Sequence, residues 1–290
     1  VSLSFFSATI TVTVDSGASV SLQKDGTTIQ TKTSTGTVVF TVTETGAYTI
    51  VATKNGKTTS GSVNVVSGTT SYTVALSFLK DNFADNDWNS IIAACHSGNV
   101  PNTWVVGNSK TMTINGASYQ VDIIGKNHDD YADGSGKAPL TFQMHTCYAT
   151  EYKMNNSGSN TGGWADCLLR TTGGFKIIKS KMPAEVVAAL KAVTKKTTAG
   201  GASSAIDTTE DTLFLLSEIE VQGTRTHSYA GEGTQYAYYQ TAANRKKNRA
   251  WYLRSPRLNS TTCFDRTGWS GEADWSVASE VDGIAAAWCF

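Results

Sequence analysis

Alternation of apolar and polar side chains with a period of two constrains the fold of residues 1–79 more than any other feature. Segments such as "ATITVTV", "TVVFTV" and "AYTIVAT" follow this rhythm, and "KDG", "STG", "ETG" and "KNG" separate them. A period of two sends successive side chains to opposite faces of a strand, and short strands at this spacing are typical of a small antiparallel β-sandwich. We therefore predict an all-β domain over residues 1–79 that serves as a spacer, since no catalytic set occurs in it.

The pattern changes at about residue 80. "DNDWNSIIAACHSG" spaces Trp88, Ile91 and Cys95 as one apolar stripe, and this predicts a short helix with Asp85 or Asn86 as its N-cap. "TWVVGNSKTMTINGASYQVDIIG" predicts two strands joined through an Asn-Gly turn.

Two further segments complete the fold class of the second part of the chain. "MPAEVVAALKAVTKK" predicts a helix with Pro183 near its first turn and with Lys195 and Lys196 at its C-terminal end. "DTLFLLSEIEV" is apolar enough to predict a buried strand. We therefore predict an α+β domain over residues 80–290 and a multidomain protein for the whole chain.

Composition narrows the classes of function. Basic and acidic residues number 24 each, so net charge gives no bulk attraction to nucleic acid or to an anionic membrane. No apolar run approaches the ~20 residues that span a bilayer, so membrane insertion is not expected. Five scattered Cys indicate buried thiols rather than a disulfide framework or a zinc site. Because nucleophile-elbow, phosphate-loop, dinucleotide and zinc-protease motifs do not occur, we expect no enzyme activity.

Several stretches read together resemble known families. "KDGTTIQTKTSTGTVVFTVTETGAYTIVATKNGK" resembles the immunoglobulin-like repeats of bacterial and phage surface proteins. "DIIGKNHDDYADGSGKAPLTFQM", "NTGGWADCLLRTT", "AWYLRSP" and "GIAAAWCF" resemble a family of bacterial and phage domains of unknown function with a C-type-lectin-like fold. Variable proteins of diversity-generating retroelements and the formylglycine-generating enzymes share that fold. The resemblance implies an Ig-like sandwich over residues 1–79 and a C-type-lectin-like ligand-binding domain over 80–290.

The same resemblance implies that the C-terminal segment holds a binding face. Between Arg266 and Asp274 every second residue belongs to an unrelated chemical type, as expected when one side of a strand faces a ligand. Trp275 and Arg266 would be the main anchors. The residues implied to be presented to a ligand are Arg266, Gly268, Ser270, Glu272, Asp274, Trp275, Ser276, Val277, Glu280 and Asp282.

One loop suggests a cation. "HDDYADGSG" places Asp129, Asp130 and Asp133 together, and three carboxylates with backbone carbonyls could begin a calcium site. The spacing is not that of an EF-hand, and the usual Glu-Pro-Asn motif of calcium-binding lectins does not occur. The alternative is a hydrogen-bonded turn, and no other cofactor is indicated.

Three hypotheses about function follow. The first is a receptor-binding protein of a phage tail or an extracellular cell-surface adhesin, whose partner is a protein or glycan on a host cell. The second is a structural component of a virion or surface layer. The third is an oxidase, with Cys263 and Cys289 as its cysteine pair, or a glycan-processing enzyme. Tail proteins are often trimers, so the resemblance also implies a homo-oligomer.

Overall fold

The computed structural model describes residues 6–290 and divides into two compact units, Val1–Lys80 and Asp81–Phe290. Residues 1–5 of the predicted spacer lie outside the described residues. The division falls beside the change of pattern at about residue 80. The structure is mostly β-sheet, in several separate sheets. Within residues 6–290, no helix combines the length and the apolar character that a membrane crossing requires.

The described part of the first unit consists of β-strands. These are β1 (Ala8–Thr13), β2 (Ser19–Lys24), β3 (Thr27–Thr33), β4 (Thr37–Val42), β5 (Gly46–Lys54), β6 (Lys57–Val65) and β7 (Ser71–Ala75).

These strands form two sheets around one apolar core. One sheet has the order β4-β1-β7 and the other the order β3-β2-β5-β6. Ile10 and Phe40 of the first sheet and Leu22 and Ile50 of the second are fully buried in the same cluster. Because buried and exposed residues alternate along β1 and β4, the period-two pattern has the structural basis that the sequence predicted.

Two tight turns in this unit follow from their glycine dipeptides. Asp25 and Gly26 connect β2 to β3, and both have positive φ, 51° and 77°. Asn55 and Gly56 connect β5 to β6 in the same way. Positive φ at both central residues matches the right-handed twist of paired strands, and this explains why "KDG" and "KNG" mark hairpins.

The second unit contains helices and three sheets. Its helices are α1 (Trp88–Ser97), α2 (Gly163–Asp166), α3 (Leu168–Thr171), α4 (Gly174–Lys181), α5 (Ala184–Ala189) and α6 (Glu218–Gln222). Short 3₁₀ turns cover Phe83–Asp85, Ala237–Gln240 and Ala242–Arg245. The strands are β8 (Ser109–Ile114), β9 (Ala117–Lys126), β10 (Leu140–Met144), β11 (Val193–Thr198), β12 (Ile206–Asp211), β13 (Trp251–Pro256), β14 (Cys263–Thr267), β15 (Ala273–Val277) and β16 (Ala287–Cys289). The sheets have the orders β16-β10-β9-β8, β11-β12 and β13-β14-β15.

Local sequence signals account for two of these elements. Asn115 and Gly116 have positive φ and join β8 to β9, as predicted. Helix α1 ends at Gly98 in the left-handed region, but its N-cap is Asp87, so the predicted cap at Asp85 or Asn86 was wrong. The Asp87 carboxylate accepts a 2.8 Å hydrogen bond from the backbone N–H of Ser90.

Two predicted elements were wrong. The helix predicted to reach Lys196 ends at Ala189, and the chain continues as strand β11. The segment predicted as a buried strand has only an isolated bridge, at Phe214, before it turns into α6. Ser217 and Glu220 form a capping box at the start of α6, so the local hydrogen bonds favour a helix there.

A buried network of charged side chains ties β11, β13 and α6 together. Lys195 forms an ion pair with Asp129, and its Nζ lies 3.3 Å from Glu220 Oε1. Arg254 donates to both oxygens of Glu220, at 2.5 and 2.9 Å, and Tyr236 donates to Asp129 at 2.8 Å. Burial alone would raise the pKa of Asp129, but the charge and hydrogen bond of Lys195 lower that pKa to about 2. The network therefore fixes β13, the strand that immediately precedes residues 257–262.

Candidate ligand-binding groove

The C-terminal residues singled out from the sequence lie around a hairpin made of β14 and β15. Its register places Arg266 opposite Asp274, and Asp265 opposite Trp275. Opposed residues of an antiparallel pair share a face and successive residues alternate, so Arg266 and Trp275 lie on opposite faces. The single face expected for all ten residues is therefore not formed.

The first face of the hairpin is an internal clamp. Arg266 Nε lies 2.7 Å from Asp274 Oδ2, and Arg266 Nη1 lies 3.0 Å from Asp282 Oδ2. Asp282 and Ser276 are buried. Arg266 thus joins the hairpin to the segment that follows it, and its charge is matched within the protein.

The turn between β14 and β15 presents Trp269 rather than Trp275. The carboxylate of Glu272 accepts hydrogen bonds from the backbone N–H of Ser270 at 2.9 Å and from its hydroxyl at 2.6 Å. A Cβ added at Gly268 would lie 2.1 Å from Glu272 Oε1, so a larger residue there would displace this side chain. Trp269, which the sequence did not assign to the binding set, is 66% exposed at this tip. Glu280 is exposed in the turn after β15.

The second face borders an open groove with a volume of about 660 Å³. The Arg257 guanidinium carbon lies 4.0 Å from the centroid of the Trp275 ring, so the cation stacks on the indole. Of the ten sequence-assigned residues, only Trp275 and Val277 line this groove. Its lining residues are Arg257, Leu258, Asn259, Ser260, Thr261, Thr262, Cys263, Trp275 and Val277.

A buried amide from elsewhere in the chain fixes the backbone of the groove loop, residues 257–262. Asn160 is fully buried, and its Nδ2 donates to the carbonyls of Ser260 at 3.0 Å and Cys263 at 2.7 Å. The backbone N–H of Arg257 also donates to the Cys263 carbonyl, at 2.9 Å. The Ser260 hydroxyl accepts from the backbone N–H groups of Thr262 and Cys263, so these bonds together fix the loop beside the groove.

Two polar side chains under this face have no partner in the described part of the chain. Asp265 and Thr267 are both fully buried, and neither carboxylate oxygen of Asp265 nor the Thr267 hydroxyl makes a hydrogen bond there. Burial raises the pKa of Asp265 well above its usual range, and nearby Glu218 and Glu232 raise this pKa further while Arg257 lowers it. Asp265 therefore favours its neutral form and leaves the Arg257 charge largely unopposed.

The structure does not bring together the three carboxylates of the predicted calcium site. Asp129 is enclosed in the core with Lys195, whereas Asp130 Oδ1 lies 2.8 Å from Lys137 Nζ. Asp133 faces Lys191 at 3.7 Å instead. Each carboxylate is thus matched by a different lysine, and no group of three or more metal-ligating side chains occurs among residues 6–290.

The five Cys are buried thiols, as predicted. Cys263 borders the groove, and Cys289 lies in the core with its Sγ 3.8 Å from Asp129. The two residues proposed for an oxidase pair therefore have separate surroundings.

Comparisons with known proteins identify the family. A family model described as a domain of unknown function, DUF6273, matches residues 139–287, and the chain belongs to this family. No curated protein matches the chain. A solved structure of a DUF4876 family protein from Bacteroides thetaiotaomicron is 9% identical with a TM-score of 0.19, and the match covers 51% of this chain. The match covers about a third, 34%, of that protein.

Proposed function

We propose that this protein is a receptor-binding protein, carried on a phage tail or a cell surface, that acts by binding a host-cell component without a chemical step. The observation that carries the proposal is the fixed groove beside the β14–β15 hairpin. Its loop is held by Asn160, and its wall stacks Arg257 on Trp275. Aromatic and arginine side chains in a preorganised concave surface are the residues that supply most binding energy in known interfaces.

The domain arrangement supports the same proposal. We propose an Ig-like class for the first unit, and its seven strands in two sheets around one core are consistent with that class. We propose a C-type-lectin-like class for the second unit on the resemblance of its motifs. In this proposal the first unit is a spacer and the second unit carries the binding groove.

The structural hypothesis keeps one observation in its favour. Trp269 is 66% exposed at the hairpin tip, outside the groove lining. Tryptophan is enriched at protein interfaces, so the structural hypothesis assigns Trp269 to contact with a neighbouring protein, such as another subunit of a homo-oligomer. The receptor-binding hypothesis therefore depends on Trp275 in the groove, and the structural hypothesis depends on Trp269 at the tip of the same hairpin.

Binding of the labelled chain to a panel of intact bacterial cells of different species tests the proposal. We compare the parent with Trp275→Ala and with Trp269→Ala, after thermal melts show that both variants fold. Loss of an aromatic anchor costs ~1–3 kcal/mol, so Trp275→Ala should weaken binding by about fivefold to about 150-fold. Trp269→Ala should bind like the parent.

Other results separate the hypotheses. Equal binding by the parent and Trp275→Ala would refute a role for the groove. A shift in oligomeric state on Trp269→Ala, with cell binding absent throughout, would favour the structural hypothesis instead.

A further inference from the structure

The groove has an unusual charge for this part of the chain. Residues 257–290 contain five acidic residues and two arginines, which from the sequence predicts a mildly acidic face. In the structure, Asp274 and Asp282 are matched by Arg266, and Asp265 is buried away from the surface. Arg257 is the only Lys, Arg, Asp or Glu residue among the groove lining, so the groove is basic.

The Arg257 side chain is positioned to receive an anion. Within residues 6–290 no carboxylate lies at ion-pair distance from its guanidinium. One flat face of the guanidinium is taken by the Trp275 ring at 4.0 Å, which leaves the N–H groups along its edge for a partner in the groove. A planar guanidinium fixed in this way matches carboxylate and phosphate geometry through paired N–H donors.

The rest of the lining favours a hydroxylated ligand over a peptide. Asn259, Ser260, Thr261 and Thr262 of the groove lining are small polar residues, and no bulky apolar side chain occurs among these four. Leu258, Val277 and the Trp275 ring add limited apolar area on which a sugar ring can lie. A volume of about 660 Å³ falls in the ordinary range for small ligands.

We propose that the groove binds an anionic carbohydrate, with a carboxylate or phosphate of the sugar held by Arg257 and a sugar ring placed against Trp275. This inference rests on the proposed function and adds the chemical class of the receptor. Carboxylate and phosphate are the two sources of the same charge, and separate probes distinguish them.

A second depression, of about 350 Å³, offers an internal comparison. It is lined by Arg170 and Lys179, but Arg170 Nε is 2.6 Å from Asp211 Oδ1 and Lys179 donates to Thr212 at 3.1 Å. These cations already have partners, whereas Lys176 at the same depression is exposed. Lys176→Gln therefore removes one exposed positive charge outside the groove and is the matched control for Arg257→Gln.

The experiment is titration calorimetry on the whole chain. The probes are a tetrasaccharide of alternating glucuronic acid and N-acetylglucosamine, the neutral tetrasaccharide of N-acetylglucosamine, glucose 1-phosphate and a hexaglutamate peptide. We expect an acidic sugar to bind, the neutral sugar to bind at least tenfold more weakly, and binding to weaken as salt rises. Arg257→Gln should weaken acidic-sugar binding about tenfold, because a hydrogen bond to a charged group is lost. Lys176→Gln should leave it unchanged.

The outcomes separate this inference from the function on which it rests. Equal affinity for the neutral sugar, no effect of Arg257→Gln, or preference for the peptide overturns the anionic-carbohydrate assignment. Preference between glucuronate and sugar phosphate identifies the source of the charge. If no acidic sugar binds while Trp275→Ala still abolishes cell binding, the receptor-binding function stands and the ligand class is wrong. If Trp275→Ala leaves cell binding intact, the groove is not the receptor site and this inference fails; if the parent binds no cells at all, the receptor-binding function fails.

Discussion

Asp265 makes the stability of the second unit depend on pH in a direction opposite to the usual one. Its carboxyl is fully buried without a hydrogen-bond partner among the described residues, and burial raises its folded-state pKa well above the ordinary value. Between the unfolded pKa of about 4 and the raised folded pKa, the folded chain holds a proton that the unfolded chain has released. Stability therefore falls as pH rises through that window.

The size of the change in unfolding free energy follows from this one proton. Each pH unit within the window removes ~1.4 kcal/mol from the free energy of unfolding, so going from pH 5 to pH 7 removes up to about 2.7 kcal/mol. The Asn side chain in Asp265→Asn does not titrate, so this variant should lose none of this free energy of unfolding. The gap in unfolding free energy between Asp265→Asn and the parent should widen by up to about 2.7 kcal/mol over the same range. Buried Glu232 also has a raised pKa, and it raises the pKa of Asp265, so the gap measures Asp265 together with its interaction with Glu232.

Urea unfolding followed by tryptophan fluorescence measures this gap. All seven Trp lie beyond residue 80, so the signal reports the second unit alone. Glu272→Gln is the control, because hydrogen bonds from Ser270 lower the pKa of Glu272, and its carboxyl is ionised in both states from pH 5 to 7. That variant should shift unfolding by the same amount at each pH. A gap for Asp265→Asn that stays constant with pH would show that the carboxyl is solvated or paired in the protein, and would refute the reasoning.

Two other substitutions test how the site is supported. Lys195→Met should lower the unfolding free energy by ~3–5 kcal/mol, since it leaves the buried Asp129 carboxylate without its cation; urea unfolding at pH 7 checks this, and a loss below 1 kcal/mol would contradict it. Asn160→Ala should cost ~1–3 kcal/mol, because it removes the hydrogen bonds to two loop carbonyls and leaves the backbone N–H of Gly201 without its Asn160 acceptor. It should also weaken ligand binding in the calorimetric assay, and unchanged binding would show that the loop keeps its shape without Asn160.

Short-range signals in the sequence account for much of the fold. The turns at Asp25–Gly26, Asn55–Gly56 and Asn115–Gly116 were readable because only a few residues accept positive φ at two successive positions. The errors occur where long-range contacts decide. Residues 193–196 read as the end of a helix, but Lys195 is fixed in a strand by its contacts with Asp129 and Glu220. The capping box of Ser217 and Glu220 was a readable signal for α6 that the apolar run concealed.

The candidate site was less predictable than the fold. The period-two pattern correctly separates Arg266 and Asp274 from their neighbours, and these two residues share a face. The sequence does not show that this face closes on itself through Asp282, because that contact joins residues 16 positions apart. The groove loop was missed for a similar reason, since its shape depends on Asn160, about a hundred residues earlier.

This division of the hairpin changes where a variable binding surface would lie. On the first face, Arg266, Asp274 and Asp282 depend on one another, so changing one leaves the charge of the others unmatched. On the second face, the loop backbone is held by Asn160, by main-chain hydrogen bonds and by Asn259, which has a positive φ of 55° and contacts the Tyr229 hydroxyl. Leu258 and Thr261 extend into the groove or solvent, and substitutions at these two positions can alter what the groove contacts without removing a bond to Asn160. If the protein diversifies its binding, we therefore expect tolerated variation in the loop after β13 and intolerance at Arg266.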